Sequence, residues 1–276
     1  MERDADQDLP RDIVRKLGEL GLCAPMAEPQ FGGQALGYVS LGIAHEEIAR
    51  GDFNAAYVLL LSALAGAIIS SHADDQQKQV MLPPICRGQH VVALAVTEPG
   101  GGSDAAHVKL LARREGDAYV LDGEKTSISF ASWADTALVM ARTGSYEAGA
   151  RGVSAFYVDL HSPGVSRNRF KDLGSRAIGR GQIFFDSVRV PAEARIGEEG
   201  AGFIEVMQGF DFSRALIGLM CIGAAQQSLE DTCKYVAERN AFGGALARFE
   251  AIAGPDSCIG CSLHRRGAPS FVLPVG

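Results

Sequence analysis

The sequence predicts an α+β chain of several domains: an N-terminal α-helical bundle, a central antiparallel β-barrel or sandwich, and part of a C-terminal α-helical bundle. Three observations carry this. Residues 9–84 place apolar side chains at helical spacing; residues 91–190 form short β-rich runs separated by Gly, Asp and Pro; helical spacing returns after Gly200. The expected divisions are 1–87, 88–199 and 200–250, with 251–276 irregular.

In the first part, Pro10 suits a first helical turn, and Ile13, Leu17 and Leu20 recur at helical spacing before Gly21. Residues 30–34 read as a loop. Over 38–50, Leu41, Ile43, Ala44 and Ile48 oppose Glu46 and Glu47. Asp52 or Asn54 can cap the next helix, which is apolar nearly all round and therefore reads as the centre of a bundle. Its apolar run, 55–69, is roughly five residues short of a membrane span and is broken by Ser62. A further helix over 74–81 is expected to stop at Pro83 and Pro84.

The β-rich runs are 91–97, 107–114, 118–122, 136–141, 153–159 and 182–190. Their spacing favours antiparallel pairing over alternating β-α units. Glu115-Gly116-Asp117 reads as a hairpin turn. In the last part, 203–208 leads into a helix over 211–240, with Ile217, Cys221, Ala224, Ala225, Leu229 and Tyr235 in one stripe. After about residue 250 no period is sustained.

The 276 residues carry a net charge of −7, which argues against nucleic acid or an anionic membrane as main partner. No N-terminal apolar stretch follows basic residues, so a cytoplasmic chain is expected. The six cysteines read as reduced thiols. Cys258, Cys261 and His264 supply only three ligands, so no metal is expected.

The chemistry is concentrated in Thr97-Glu98-Pro99-Gly100-Gly101-Gly102-Ser103-Asp104. Such a turn offers bare backbone N–H groups and a serine hydroxyl to a large anionic cofactor. Taken alone it also fits an ordinary turn, where Pro and Gly are common. No G-x-G-x-x-G opens a helix after a strand, so a nicotinamide site of the dinucleotide-fold type is not expected.

This octapeptide resembles the T-E-P-x-x-G-S-D motif of flavin-dependent acyl-CoA dehydrogenases. Further likenesses follow in order: Asp122-Gly-Glu-Lys125, Phe185-Asp-Ser-Val-Arg-Val-Pro191, Ile196-Gly-Glu-Glu-Gly-Ala-Gly-Phe203 and Glu238-Arg-Asn-Ala-Phe-Gly243. Upstream, Leu17-Gly-Glu-Leu-Gly-Leu22 and Phe31-Gly-Gly33 also match, so the likeness covers about residues 9–250. The resemblance implies FAD as cofactor, an acyl-CoA substrate, an electron-transfer flavoprotein as acceptor, and a homo-oligomer, dimer or tetramer. It places FAD against Leu94, Val96, Thr97, Gly102 and Ser103, with Ile128 and Ser129 beside the ring. Ser103 would also meet the acyl-CoA, and Asp211 and Arg214 match CoA contacts. By inspection alone Arg214 reads equally well as a surface ion-pair partner of Asp211. Arg239 and Phe242 match a pair that reaches the flavin of a neighbouring subunit. Without the family, Phe242 reads as a core aromatic.

Two departures stand out. Where family members usually carry Trp and Thr, this chain has Ser127 and Ser129. The smaller side chain leaves room beside the ring, and points to a bulkier or cyclic acyl group or to altered flavin shielding. The likeness here is to the subgroup acting on alicyclic acyl-CoA thioesters. The second departure is the base. Removing the α-proton of a thioester needs a poised carboxylate. In the family it lies beyond the position of residue 276, or at the position held here by Ser213, which is no carboxylate. No catalytic residue is therefore assigned, and the change of pattern near residue 250 reads as truncation, a shifted frame or a short variant. Two other readings stay open: a flavin monooxygenase or oxidase on the same fold, and a non-catalytic remnant.

Overall fold

The computed structural model describes residues 8–249 and 252; Cys258, Cys261, His264 and the expected irregular tail lie outside these. Four helices come first: α1 (Arg11–Glu19), α2 (Tyr38–Gly51), α3 (Phe53–His72) and α4 (Asp75–Cys86). Pro10 caps α1, which turns Val14 and Leu17 inward. Asp52, of the two candidates, caps α3: its carboxylate accepts the N–H groups of Asn54 at 2.9 Å and Ala55 at 3.3 Å.

Helix α3 has 20 residues, longer than its apolar run, and by length and composition it could cross a membrane. However, 67% of its most apolar window is buried inside the protein, as a central helix requires. Ser62 does not interrupt it. The hydroxyl donates to the Leu59 carbonyl at 3.0 Å and accepts the Ala24 N–H at 3.3 Å.

Helix α4 departs from expectation, because it continues through Pro83 and Pro84 to Cys86. The two prolines deprive the carbonyls of Gln79 and Val80 of their donors. Both residues are exposed, so solvent can satisfy those carbonyls, while burial of Met81, Leu82, Ile85 and Cys86 holds the last turn. Asp74 and Gln77 form a reciprocal capping box at the other end.

Eight strands form one sheet: β1 (Val92–Ala95), β2 (Leu111–Glu115), β3 (Ala118–Ile128), β4 (Thr136–Arg142), β5 (Val153–Asp159), β6 (Val165–Arg169), β7 (Gly181–Pro191) and β8 (Arg195–Ile196). Their order is β6-β7-β3-β2-β4-β5-β8, with β1 on β4. Pairing is antiparallel except that β1, and one residue pair of β2, run parallel to β4. The expected turn joins β2 to β3, with Gly116 at φ +67°. Strand β6, sequence VSRNR, was not expected; it has no buried alternation and exists by pairing with β7.

A single helix, α5 (Gly202–Glu238), replaces the two expected after Gly200, and a short pair, β9 (Asn240–Ala241) and β10 (Gly244–Ala245), follows it. The chain divides into two compact units. The first comprises residues up to 36 and 57–212, and the second comprises 37–56 and 213 onward. In the first, Leu64, Ile68, Ile69, Leu82 and Ile85 share a core with Val92, Val96, Leu138, Met140 and Val206. In the second, Leu41, Ala49, Leu216, Leu219 and Met220 are buried. The stripe expected on α5 is not the buried one: Ile217, Cys221 and Tyr235 are exposed, and Ser213, Leu216, Met220 and Gly223 face inward. A Cβ at Gly223 would stand 2.1 Å from the Glu46 carbonyl, so this position lets the helix backbones of α2 and α5 approach closely.

Four cysteines are free thiols among the described residues. Cys23 and Cys86 are buried, and Cys221 and Cys233 are exposed. Burial pushes the Cys23 thiol up to about 12 and that of Cys86 up to about 11.

His45 in α2 is fully buried, with its Nδ1 2.8 Å from the Leu41 carbonyl and its Nε2 without a partner. Burial pushes its pKa down to about 4. The folded state thus resists a proton that the unfolded chain accepts below about pH 6.5, so stability present above that pH is lost as pH falls toward 4. Urea denaturation should give about 2 kcal/mol less stability from this group at pH 5 than at pH 7, and His45→Gln should remove that difference.

Candidate functional site

The site grows from the chain leaving β1. Val96 is buried and Thr97 half-buried, and the next residue, Glu98, is buried beside Lys125 of β3, whose side chain is 0% exposed. Glu98 Oε1 accepts from Lys125 Nζ at 2.8 Å and from the Leu110 N–H at 3.0 Å, and Oε2 accepts the Lys109 N–H at 2.7 Å. Lys125 Nζ also donates to the Val96 carbonyl at 2.9 Å. Burial pushes the amine down, to about 8, while Glu98 opposes the shift. The Thr126 N–H meets the Thr97 carbonyl at 2.9 Å, so the start of loop 97–104 is clamped to β3.

The three glycines of that loop serve no need of the fold itself. None has positive φ. A Cβ would meet nothing within 4 Å at Gly101, only Thr97 Cγ2 at 3.6 Å at Gly102, and only Lys109 Nζ at 3.7 Å at Gly100. The run instead leaves bare backbone exposed. Beside it opens a cavity of about 110 Å³, lined by Val96, Gly100, Gly101, His107, Lys109 and Tyr146 among others. His107 Nδ1 lies 2.7 Å from Asp104 Oδ1, and its ring packs 5.4 Å from that of Tyr146.

Behind the cavity, buried Arg142 donates to the carbonyls of Val108 at 2.8 Å, Ala106 at 2.9 Å, Ser145 at 3.0 Å and Gly149 at 3.1 Å. Its guanidinium lies 5.3 Å from the Tyr146 ring centre. Sequence reasoning passed over Glu98 and Lys125 as a pair and Arg142 altogether. The signal available was charge inside otherwise apolar β runs.

The structure places the expected residues as follows. Leu94 and Ser129 are half-buried, Ile128 is buried, and Gly102 and Ser103 are exposed in the loop. These, with Val96 and Thr97, lie in the first compact unit, at the ends of β1 and β3. Asp211 and Arg214 are both exposed on α5. Ser213 is 3% exposed. Arg239 is exposed at the end of α5. Phe242 occupies the β9–β10 turn at φ +52° and is 91% exposed, with its ring centre 6.1 Å from that of Phe249 in a T-shaped pair, so it is no core aromatic.

A helical part, a sheet with a clamped glycine loop, and a long following helix define one kind of protein. Three successive family models match: acyl-CoA dehydrogenase N-terminal domain over residues 1–89, middle domain over 93–188 and C-terminal domain over 200–255. The chain belongs to the acyl-CoA dehydrogenase family. It is 36% identical over 252 residues to the mitochondrial short-chain specific acyl-CoA dehydrogenase of Rattus norvegicus, covering 90% of this chain and 61% of that one. It is 36% identical over 255 residues to the caffeyl-CoA reductase-Etf complex subunit CarC of Acetobacterium woodii, covering 91% of this chain and 67% of that one. The butyryl-CoA dehydrogenase structure from Megasphaera elsdenii superposes with a TM-score of 0.91 at 28% identity, covering 98% of this chain and 72% of that one.

Lys125→Met would leave Glu98 charged, buried and without its cation. Urea denaturation should show a loss of about 3–5 kcal/mol. Lys125→Met with Glu98→Gln should cost less than the two single losses added.

Proposed function

We propose that this chain binds FAD and an acyl-CoA thioester and serves the introduction of an α,β double bond, with an electron-transfer flavoprotein as acceptor. One observation carries the reading: glycines 100–102 are demanded neither by backbone conformation nor by packing, which is what close approach of a cofactor to bare backbone requires. The surroundings fit FAD. Leu94, Val96 and Ile128 offer apolar flanks, Thr97, Ser103 and Ser129 offer hydroxyls, and Gly102 leaves the loop backbone open. FAD, when bound, supplies the hydride-accepting chemistry.

The chain's own residues bind and orient. The Glu98–Lys125 clamp fixes the loop before any ligand arrives, so little ordering cost falls on binding. Ser103 stands at the loop's exposed edge, open to the acyl-CoA. Asp211 and Arg214 are proposed for the CoA portion, with the Arg214 fork suited to phosphate. Arg239 and exposed Phe242 are proposed to meet the flavin of a neighbouring copy, making a cytoplasmic homo-oligomer. The proton acceptor is a different matter. Position 213 holds a buried serine, and no group among the described residues is assigned that role.

The test is an anaerobic absorbance titration of the purified chain with FAD, then with butyryl-CoA and cyclohexanecarboxyl-CoA. The expected outcome is uptake of FAD and a perturbed flavin band on adding thioester. Bleaching would reveal a proton acceptor not recognised above. A band that shifts without bleaching marks a binding chain without a base, and failure to take up FAD overturns the proposal. Gly102→Val should raise the FAD dissociation constant about tenfold or more. The same variant should change the urea stability by no more than about 0.5 kcal/mol, since its Cβ meets only Thr97 Cγ2 at 3.6 Å.

A further inference from the structure

Ser127, one residue before the end of β3, sits in the left-handed region, at φ +58°, where the pairing of β3 with β7 slips between Lys125 and Ile128. A serine held there costs of order 1–3 kcal/mol unless its surroundings hold it. Its hydroxyl accepts from Arg180 Nη1 at 3.1 Å. Arg180 is itself fixed. Its Nε donates to Asp172 Oδ2 at 2.9 Å and its Nη2 to Asp172 Oδ1 at 2.7 Å, a two-pronged fork. The guanidinium also lies 5.1 Å from the Phe170 ring centre. The same loop grips the chain just beyond Ser129: the Phe130 N–H meets the Ile178 carbonyl at 3.0 Å and the Ser132 N–H meets that of Gly179 at 3.1 Å. The Trp133 Nε1 adds a bond to the Ile178 carbonyl at 3.0 Å. Ile128 and Ser129, the residues proposed beside the flavin ring, are thus strung between two anchors, one of them a charged side chain.

We propose that the Arg180–Asp172 pair is a positioning device: it holds Ser127 in its turn, presents Ile128 and Ser129 to FAD, and by its balanced charge sets the relative affinity of the site for oxidised and reduced FAD. This rests on the FAD reading above. The two charges cancel as a pair, so removing either exposes the other next to the strand that carries the cofactor. The pair also stands where a small residue, Ser127, leaves room beside that strand.

The test measures dissociation constants for oxidised FAD and, anaerobically, for reduced FAD at pH 8, where the reduced ring carries an added negative charge. The quantity read is the reduced-to-oxidised ratio. Arg180→Gln should raise it about threefold or more, since Asp172 then faces the anion unpaired, and Asp172→Asn should lower it by a similar factor. Arg180→Lys keeps the charge and loses the fork, so both constants should rise while the ratio stays near that of the parent chain. Ratios unmoved in the first two variants, or moved in the same direction, overturn the inference. Should Arg180→Gln fail to fold, the sign of the Asp172→Asn shift decides. A parent chain that takes up neither form of FAD sinks the function reading and this one together, whereas FAD binding with unmoved ratios sinks this one alone.

Discussion

The buried Glu98–Lys125 pair is the constraint on which the site depends. It sits where two edges of backbone would otherwise be unsatisfied. One carboxylate takes two backbone N–H groups from the chain entering β2, and one ammonium takes the Val96 carbonyl and the carboxylate together. Three segments distant in sequence are thereby tied at one point. Burying both charges is expensive, and an apolar replacement of equal shape could be as stable. What an apolar pair could not do is dictate where the backbone on either side of it runs. The loop after Glu98 gains a fixed origin while its own tip stays free of side chains.

Arg142 repeats this logic on the other wall. A single buried guanidinium collects four carbonyls from the segments before β2 and after β4. Its five donors suit a place where chain ends converge and strand pairing has run out. The cavity beside the glycine loop therefore has charged hinges on two sides, and its lining sets the side chains of Asp104, His107, Lys109 and Tyr146 beside the bare backbone of Gly100 and Gly101. Rigidity comes from the buried ions, and openness from the glycines.

Much of the fold could be read from local patterns. Strand β4 is buried at all seven positions and β5 at most of them, and both were visible as apolar runs. The Asp52 cap and the Gly116 turn follow from side-chain chemistry alone. Strand β6 was invisible because its partner, not its own sequence, makes it a strand. The length of β3 was hidden because Lys125 looks like a surface residue until Glu98 is placed beside it. The end of α4 was misjudged because prolines forbid donors, not helical dihedrals, and tertiary burial can outweigh two lost bonds. On α5 the periodicity was right and the inward face was offset, which no single helix can reveal without its neighbours. In the site, the loop and its glycines were legible as a motif. The buried pair, Arg142 and the Arg180–Asp172 fork were not, because each joins residues that only the fold brings together.

The distribution of thiols carries a practical consequence. Cys23 and Cys86 are buried and hold their protons far above neutral pH, so they stay inert toward oxidants and alkylating reagents. Cys221 and Cys233 are exposed on the same helix, and twelve residues of helix span about 18 Å. No disulfide bridges that distance within one chain. A disulfide between Cys221 and Cys233 therefore joins one molecule to the next, a link that a thiol reductant cleaves.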